Sequence, residues 1–95
     1  MNHEPRWTLI TKHGLVLIFL ARNSDCTVRE ISDAIGITPR QTFRIVKDLV
    51  ADGYLTITKA GRRNTYALQP DKPMRHPILA GVTLGDLLEI AASRA

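Results

Sequence analysis

The sequence predicts an α+β, mainly helical fold, and three observations predict it. Two stretches, Thr27 to Gly36 and Thr38 to Gly53, each carry a helix start, an apolar stripe and a glycine stop. Behind them come two short runs that alternate apolar and polar residues around a glycine, the pattern of a β-hairpin. A last capped stretch from Thr83 repeats leucine at helical spacing and closes the chain. The 95 residues suffice for one domain with a single modest core. Residues 1–69 form its helix-and-hairpin part, and residues 70–95 a connector and closing helix of the same domain.

Taken in order, Met1 to Ile10 reads as an arm with little periodicity, its one aromatic, Trp7, serving as a packing anchor rather than a binding residue. Thr11 caps a first helix, Lys12 to Arg22, which the turn-forming Asn23-Ser24-Asp25 ends. From Leu15 to Ala21 this helix is apolar on every side. A surface helix hides one stripe and not its whole circumference, so part of it is expected to meet a second chain or the closing helix. Cys26 and Thr27 suggest a brief strand. The next helix begins with a Thr-x-x-Glu capping box at Thr27 and turns Ile31, Ala34 and Ile35 inward, leaving Arg29, Glu30 and Asp33 in solvent.

The third helix has both ends written out. Thr38 caps it, Pro39 suits its first position, Gln41 returns the capping hydrogen bond, and Gly53 supplies the left-handed stop. Thr42, Ile45, Val46 and Leu49 fall on one side, and Arg40, Arg44 and Lys47 on the opposite one. Two short helices joined by so tight a turn must cross steeply, which is the helix-turn-helix arrangement. The hairpin runs from Tyr54 to Lys59 and from Thr65 to Leu68, with a basic tip at Ala60 to Asn64. Pro70, Pro73 and Pro77 then impose an extended connector. In the closing helix Leu84, Leu87, Leu88 and Ala91 recur on one side, with Thr83 and Asp86 at its start.

Charge points to an anionic partner. The net charge is +4, and the segment from Thr38 to Asn64 holds six cations (Arg40, Arg44, Lys47, Lys59, Arg62, Arg63) against Asp48 and Asp52. Essentially the whole excess therefore sits on one helix face and one hairpin tip. The single Cys26 forms no internal disulfide and fits a reducing cytoplasm. No secretory signal is expected in MNHEPRW, and the seven apolar residues from Leu15 fall far below the roughly twenty that cross a bilayer. Enzymatic readings are weak: His3, His13 and His76 share no ligand spacing, no glycine-rich phosphate loop follows a strand, and no nucleophile setting is recognisable. The expectation is a cytoplasmic, nucleoid-associated protein that is no enzyme and takes no cofactor, metal or evident small-molecule effector.

The run IGITPRQTFRIVKDLVADGYL from Ile35 to Leu55 and the hairpin GRRNTYAL from Gly61 to Leu68 resemble the winged helix-turn-helix transcriptional regulators, broadly those of the MarR family. The resemblance covers about residues 11 to 69. It implies a DNA-binding fold, usually dimeric, with the hairpin as the wing. The extended dimerisation helices and ligand pocket of full-length MarR-like proteins have no counterpart here.

In that reading helix 39–52 enters the major groove of double-stranded DNA, where Arg40 and Arg44 present forks to guanine and Gln41 pairs with adenine. Phe43 either widens the core or touches a thymine methyl or sugar. Lys47 meets a phosphate, and the helix starts at Thr27, Thr38 and Pro39 offer amides to the backbone. Arg62, Arg63 and the adjoining Asn64, in the wing at 60–64, enter the minor groove or follow the phosphates. The surplus of apolar surface predicts a homodimer held at Leu15, Phe19, Leu84, Leu87 and Leu88. The reading from another class is a winged-helix module for protein or RNA partners, with no operator.

Overall fold

The computed structural model describes residues 6–92 and follows the predicted order of elements. Helix α1 spans Lys12–Arg22, strand β1 Asp25–Cys26, α2 Val28–Ile35, α3 Pro39–Ala51, β2 Leu55–Ala60, β3 Arg63–Leu68 and α4 Leu84–Ala92. A three-residue 3-10 turn, Pro77–Leu79, interrupts the connector. The proline-rich segment is thus not wholly extended. Its turn begins at a proline whose fixed backbone angle suits a helical start, and His76 Nδ1 accepts from the Ile78 amide to cap it.

Both boxes of the helix pair form. Thr27 Oγ1 accepts from the Glu30 amide while Glu30 Oε1 accepts from the Thr27 amide, and Thr38 exchanges the same two bonds with Gln41. Gly36 stops α2 and Gly53 follows α3, with φ of 84° and 82°, a left-handed conformation that other residues adopt only with strain. Between the two helices the Ser32 and Thr42 hydroxyls meet at 2.7 Å, both buried. The inward face of α2 therefore includes Ser32, whereas Ala34 is exposed. The reason is α3, which crosses α2 on the Ser32 side and supplies the hydroxyl that makes burial of a serine tolerable.

The sheet is antiparallel in the order β1-β3-β2. Strand β1 is Asp25–Cys26 rather than Cys26–Thr27, because Thr27 is spent as the cap of α2. The wing is more tightly closed than its sequence suggests. Ala60 pairs with Arg63, so only Gly61 and Arg62 lie outside the ladder, with φ positive at Gly61 alone. That is the pattern of a two-residue turn with glycine in its first central position. Arg63 and Asn64 consequently belong to a strand and not to a loose tip.

Val16, Leu17 and Leu20 of α1 meet Ile31, Ile45, Val46, Leu49, Tyr54, Leu55, Tyr66 and Leu84 in one core. Leu84 has no exposure at all, so it cannot serve as a contact to a second chain. The connector explains its burial. Leu84 and Gly85 amides donate to the carbonyls of Lys72 and Pro70, and the Tyr54 hydroxyl donates to Pro73, which turns α4 back onto α1. Arg22 closes the far end by donating to the Ala91 carbonyl. Of the other predicted contact residues, Leu15, Phe19, Leu87 and Leu88 remain half-exposed. Trp7, 69% exposed, is not buried as an anchor among the described residues; residues 1–5 of the arm lie outside those described. Among the described residues no helix is long and apolar enough to cross a membrane.

Candidate nucleic-acid interface

Helix α3 presents its cations because its other side is committed. Thr42, Ile45, Val46 and Leu49 are buried, and at about 100° per residue this directs Arg40, Arg44 and Lys47 to solvent. The carboxylates nearby are occupied elsewhere. Asp48 accepts from His13 Nε2 at 2.9 Å, and Asp52 from Arg75 at 2.9 Å. Among the described residues no ion pair engages Arg40, Arg44, Lys47, Lys59 or Arg62, so this surface keeps its positive charge.

The predicted residues divide into two groups. Arg40, Arg44, Lys47 and Arg62 are exposed and outside the ion pairs, Arg62 at the turn of the wing. Phe43 stands 61% exposed, which settles its place: it does not widen the core. It borders an apolar trough of about 450 Å³ that runs between α3 and the sheet, floored by Val46, Val50, Ile57 and Tyr66. Pro39 fills the first turn and is exposed, with no amide hydrogen to offer.

The second group is bound within the fold. The Gln41 amide oxygen accepts from the Thr38 backbone at 3.0 Å, leaving its side-chain nitrogen as the free half of an adenine-pairing fork. The Thr38 and Thr27 hydroxyls serve their caps, and the Gln41 and Thr42 amides bond to Thr38, so in the first turn of α3 the Arg40 amide is the one left outside the cap. Asn64 donates to the Tyr66 hydroxyl at 3.1 Å. Arg63 reaches Asp25 and Glu30, whose carboxylates hold its guanidinium above its usual pKa, the Asp25 hydrogen bond most of all. Burial, followed by the nearby Glu30 carboxylate, raises the pKa of the Cys26 thiol and keeps it a thiol.

Sequence reasoning anticipated neither the apolar trough nor a second concavity. A cleft of about 610 Å³ opens between α1, the C-terminal half of α3, the connector and α4, with Leu17, Leu49, Leu79 and Leu87 in its wall and the His13–Asp48 pair at its side. Its walls come from four separated segments, so no local motif announces it.

Comparison with known proteins bears on the fold and the family. The sequence profile of the MarR family matches residues 8–63. No curated protein sequence matches the chain. Among solved structures, a variant of ZitR from Lactococcus lactis superimposes with a TM-score of 0.57 at 15% identity, over 99% of this chain and 56% of that one. CymR of B. subtilis, described as the global cysteine regulator, gives 0.58 at 16% identity over 88% of this chain and 98% of its own. The present chain thus spans little more than half the length of the ZitR chain. At such identities the likeness shows the fold, which is a winged helix in both cases. Over more than half its length the sequence carries the family's own pattern, and the chain belongs to the MarR family.

Proposed function

We propose that this protein is a sequence-specific, double-stranded-DNA-binding transcriptional regulator. Helix α3 lies in the major groove, with Arg40 and Arg44 reading base edges and Lys47 on a phosphate. The wing follows the minor groove or the backbone through Arg62, with Lys59 beside it. The observation that carries this reading is the separation of charge. Four exposed cations share the α3 face and the wing turn outside the ion pairs, while Asp48 and Asp52 are held by His13 and Arg75. An incidental basic surface would not sort its carboxylates in this way. Phe43, exposed beside the same cations, is assigned to a thymine methyl or a sugar.

The protein acts as a homodimer in the cytoplasm. Leu15, Phe19, Leu87 and Leu88 are the contacts assigned to the dimer, and they pair two recognition helices about a two-fold axis over half-sites roughly one helical turn apart. The test is selection of bound duplexes from a random pool, followed by affinity measurements on the selected site. Loss of affinity in Arg40→Ala, Arg44→Ala and Arg62→Ala is expected. Equal affinity of the wild type and all three variants refutes the reading.

A further inference from the structure

By charge alone Arg63 belongs with the DNA-facing set, yet its side chain turns the other way. It opens β3, and its Nε donates to Asp25 Oδ1 at 3.1 Å. Its Nη2 donates to the Asp25 carbonyl oxygen at 2.9 Å and to Glu30 Oε1 at 3.2 Å. That Glu30 oxygen is the one that accepts the Thr27 amide at 2.9 Å in the capping box of α2. A single guanidinium thus joins three elements: the wing, the two-residue strand β1 and the first turn of the helix that precedes α3. Its planar fork fixes orientation as well as distance, which a lysine's point charge does not.

The wing needs such a tie. A two-stranded hairpin is marginal by itself, and β1 adds the pairs Asp25–Thr65 and Cys26–Asn64 with one bond more, from the Tyr66 amide to the Ser24 carbonyl. We propose that Arg63 is a positioning residue and not a phosphate ligand: it braces the wing against β1 and the start of α2, and so fixes where Arg62 and Lys59 stand relative to α3. The proposal rests on the DNA reading above for its function, and on the three hydrogen bonds for its geometry. The cations left for DNA are then Arg40, Arg44, Lys47, Lys59 and Arg62.

The double variant Asp25→Asn with Glu30→Gln gives a test in which the sign decides. It removes two negative charges beside the binding surface while keeping a carbonyl oxygen on each side chain, so the cap at Thr27 survives whereas the bonds from Arg63 lose the charge assistance that makes them strong. If charge alone mattered, DNA binding would tighten. The brace predicts weaker binding to the selected duplex, by roughly three- to ten-fold for exposed charge pairs of this kind. Arg63→Gln is expected to weaken binding similarly without changing its dependence on salt. By contrast, Arg62→Gln should lower the slope of log affinity against log salt by about 0.9, the loss of one phosphate contact. In the free protein, amide hydrogen exchange from Gly61 to Asn64 should quicken in Arg63→Gln and in the double variant. Unchanged or tighter binding of the double variant, unchanged exchange, or a salt slope lowered in Arg63→Gln as in Arg62→Gln each overturns the brace. Quickened exchange in a protein whose wild type binds no duplex upholds the brace and refutes the DNA reading.

Discussion

The hydroxyls of Ser32 and Thr42 show how a single pair fixes the crossing of two helices. Both are buried, and each also lies within hydrogen-bond distance of a carbonyl one turn back, Val28 for Ser32 and Thr38 for Thr42. Thr42→Val keeps the shape and removes one hydroxyl, and a loss of about 1 kcal/mol is expected in urea denaturation. The combination of Ser32→Ala with Thr42→Val should cost less than the sum of the single changes, since each single change already loses the one hydrogen bond between the two hydroxyls. Periodicity put Thr42 on the apolar face, but it could not pick Ser32 over Ala34, because a serine is buried only where another helix brings it a partner. Glu30 gives a prediction in pH. The Thr27 backbone hydrogen bond, followed by the charge of Arg63, holds its carboxyl below the usual range. A lowered folded-state pKa lends stability above the ordinary glutamate value of about 4.3, and that stability is lost as pH falls through the lowered one. Melting temperature should therefore fall less between neutral and acid pH in Glu30→Gln than in the wild type.

At the scale of the element, α3 was readable to within a residue because its signals are local: cap, first-turn proline, apolar stripe and terminal glycine all lie within its own span. In the proposed complex the division of labour with the wing follows from position. Arg40→Ala and Arg44→Ala should relax preference at particular base pairs by about 1–3 kcal/mol each, seen as a changed profile of selected duplexes. Arg62→Ala should instead weaken all duplexes alike and flatten the salt dependence. A shifted base preference in Arg62→Ala with an unchanged salt slope would assign the wing to base reading. The strand ends of the wing were less legible. Whether five residues or two turn the chain depends on whether Arg63 joins the ladder, and its partners Asp25 and Glu30 lie more than thirty residues earlier. The occupied oxygen of Gln41 has a similar cause: the same pattern that revealed the capping box uses up the group assigned to adenine.

Across the whole molecule, the order of elements was legible and the destination of α4 was not. A leucine stripe states that a helix needs a partner without saying whose, and here Lys72, Pro70 and Pro73 hold the connector so that Leu84 enters the chain's own core. Leu84→Ala, like Leu49→Ala, is expected to cost on the order of 2–5 kcal/mol in thermal or urea unfolding, a large part of the stability of so small a domain. An unchanged melting curve for either would contradict the core described. The self-association assigned to Leu87 is a separate matter, checked by sedimentation at micromolar concentration, where Leu87→Glu should give a folded monomer from a wild-type dimer. In the proposed complex, the two-residue turn at Gly61 and Arg62 carries a consequence for how far the wing reaches along DNA. With almost no loop to stretch, the length of the wing is set by its paired strands, and successive residues face opposite sides. One residue added to each strand would turn the tip arginine to the other face. Two added to each would restore the face and carry the arginine about 7 Å further, close to two base-pair steps. The hairpin is a ruler graduated in pairs of residues, and wing lengths that keep the tip arginine on one face differ by four residues at a time.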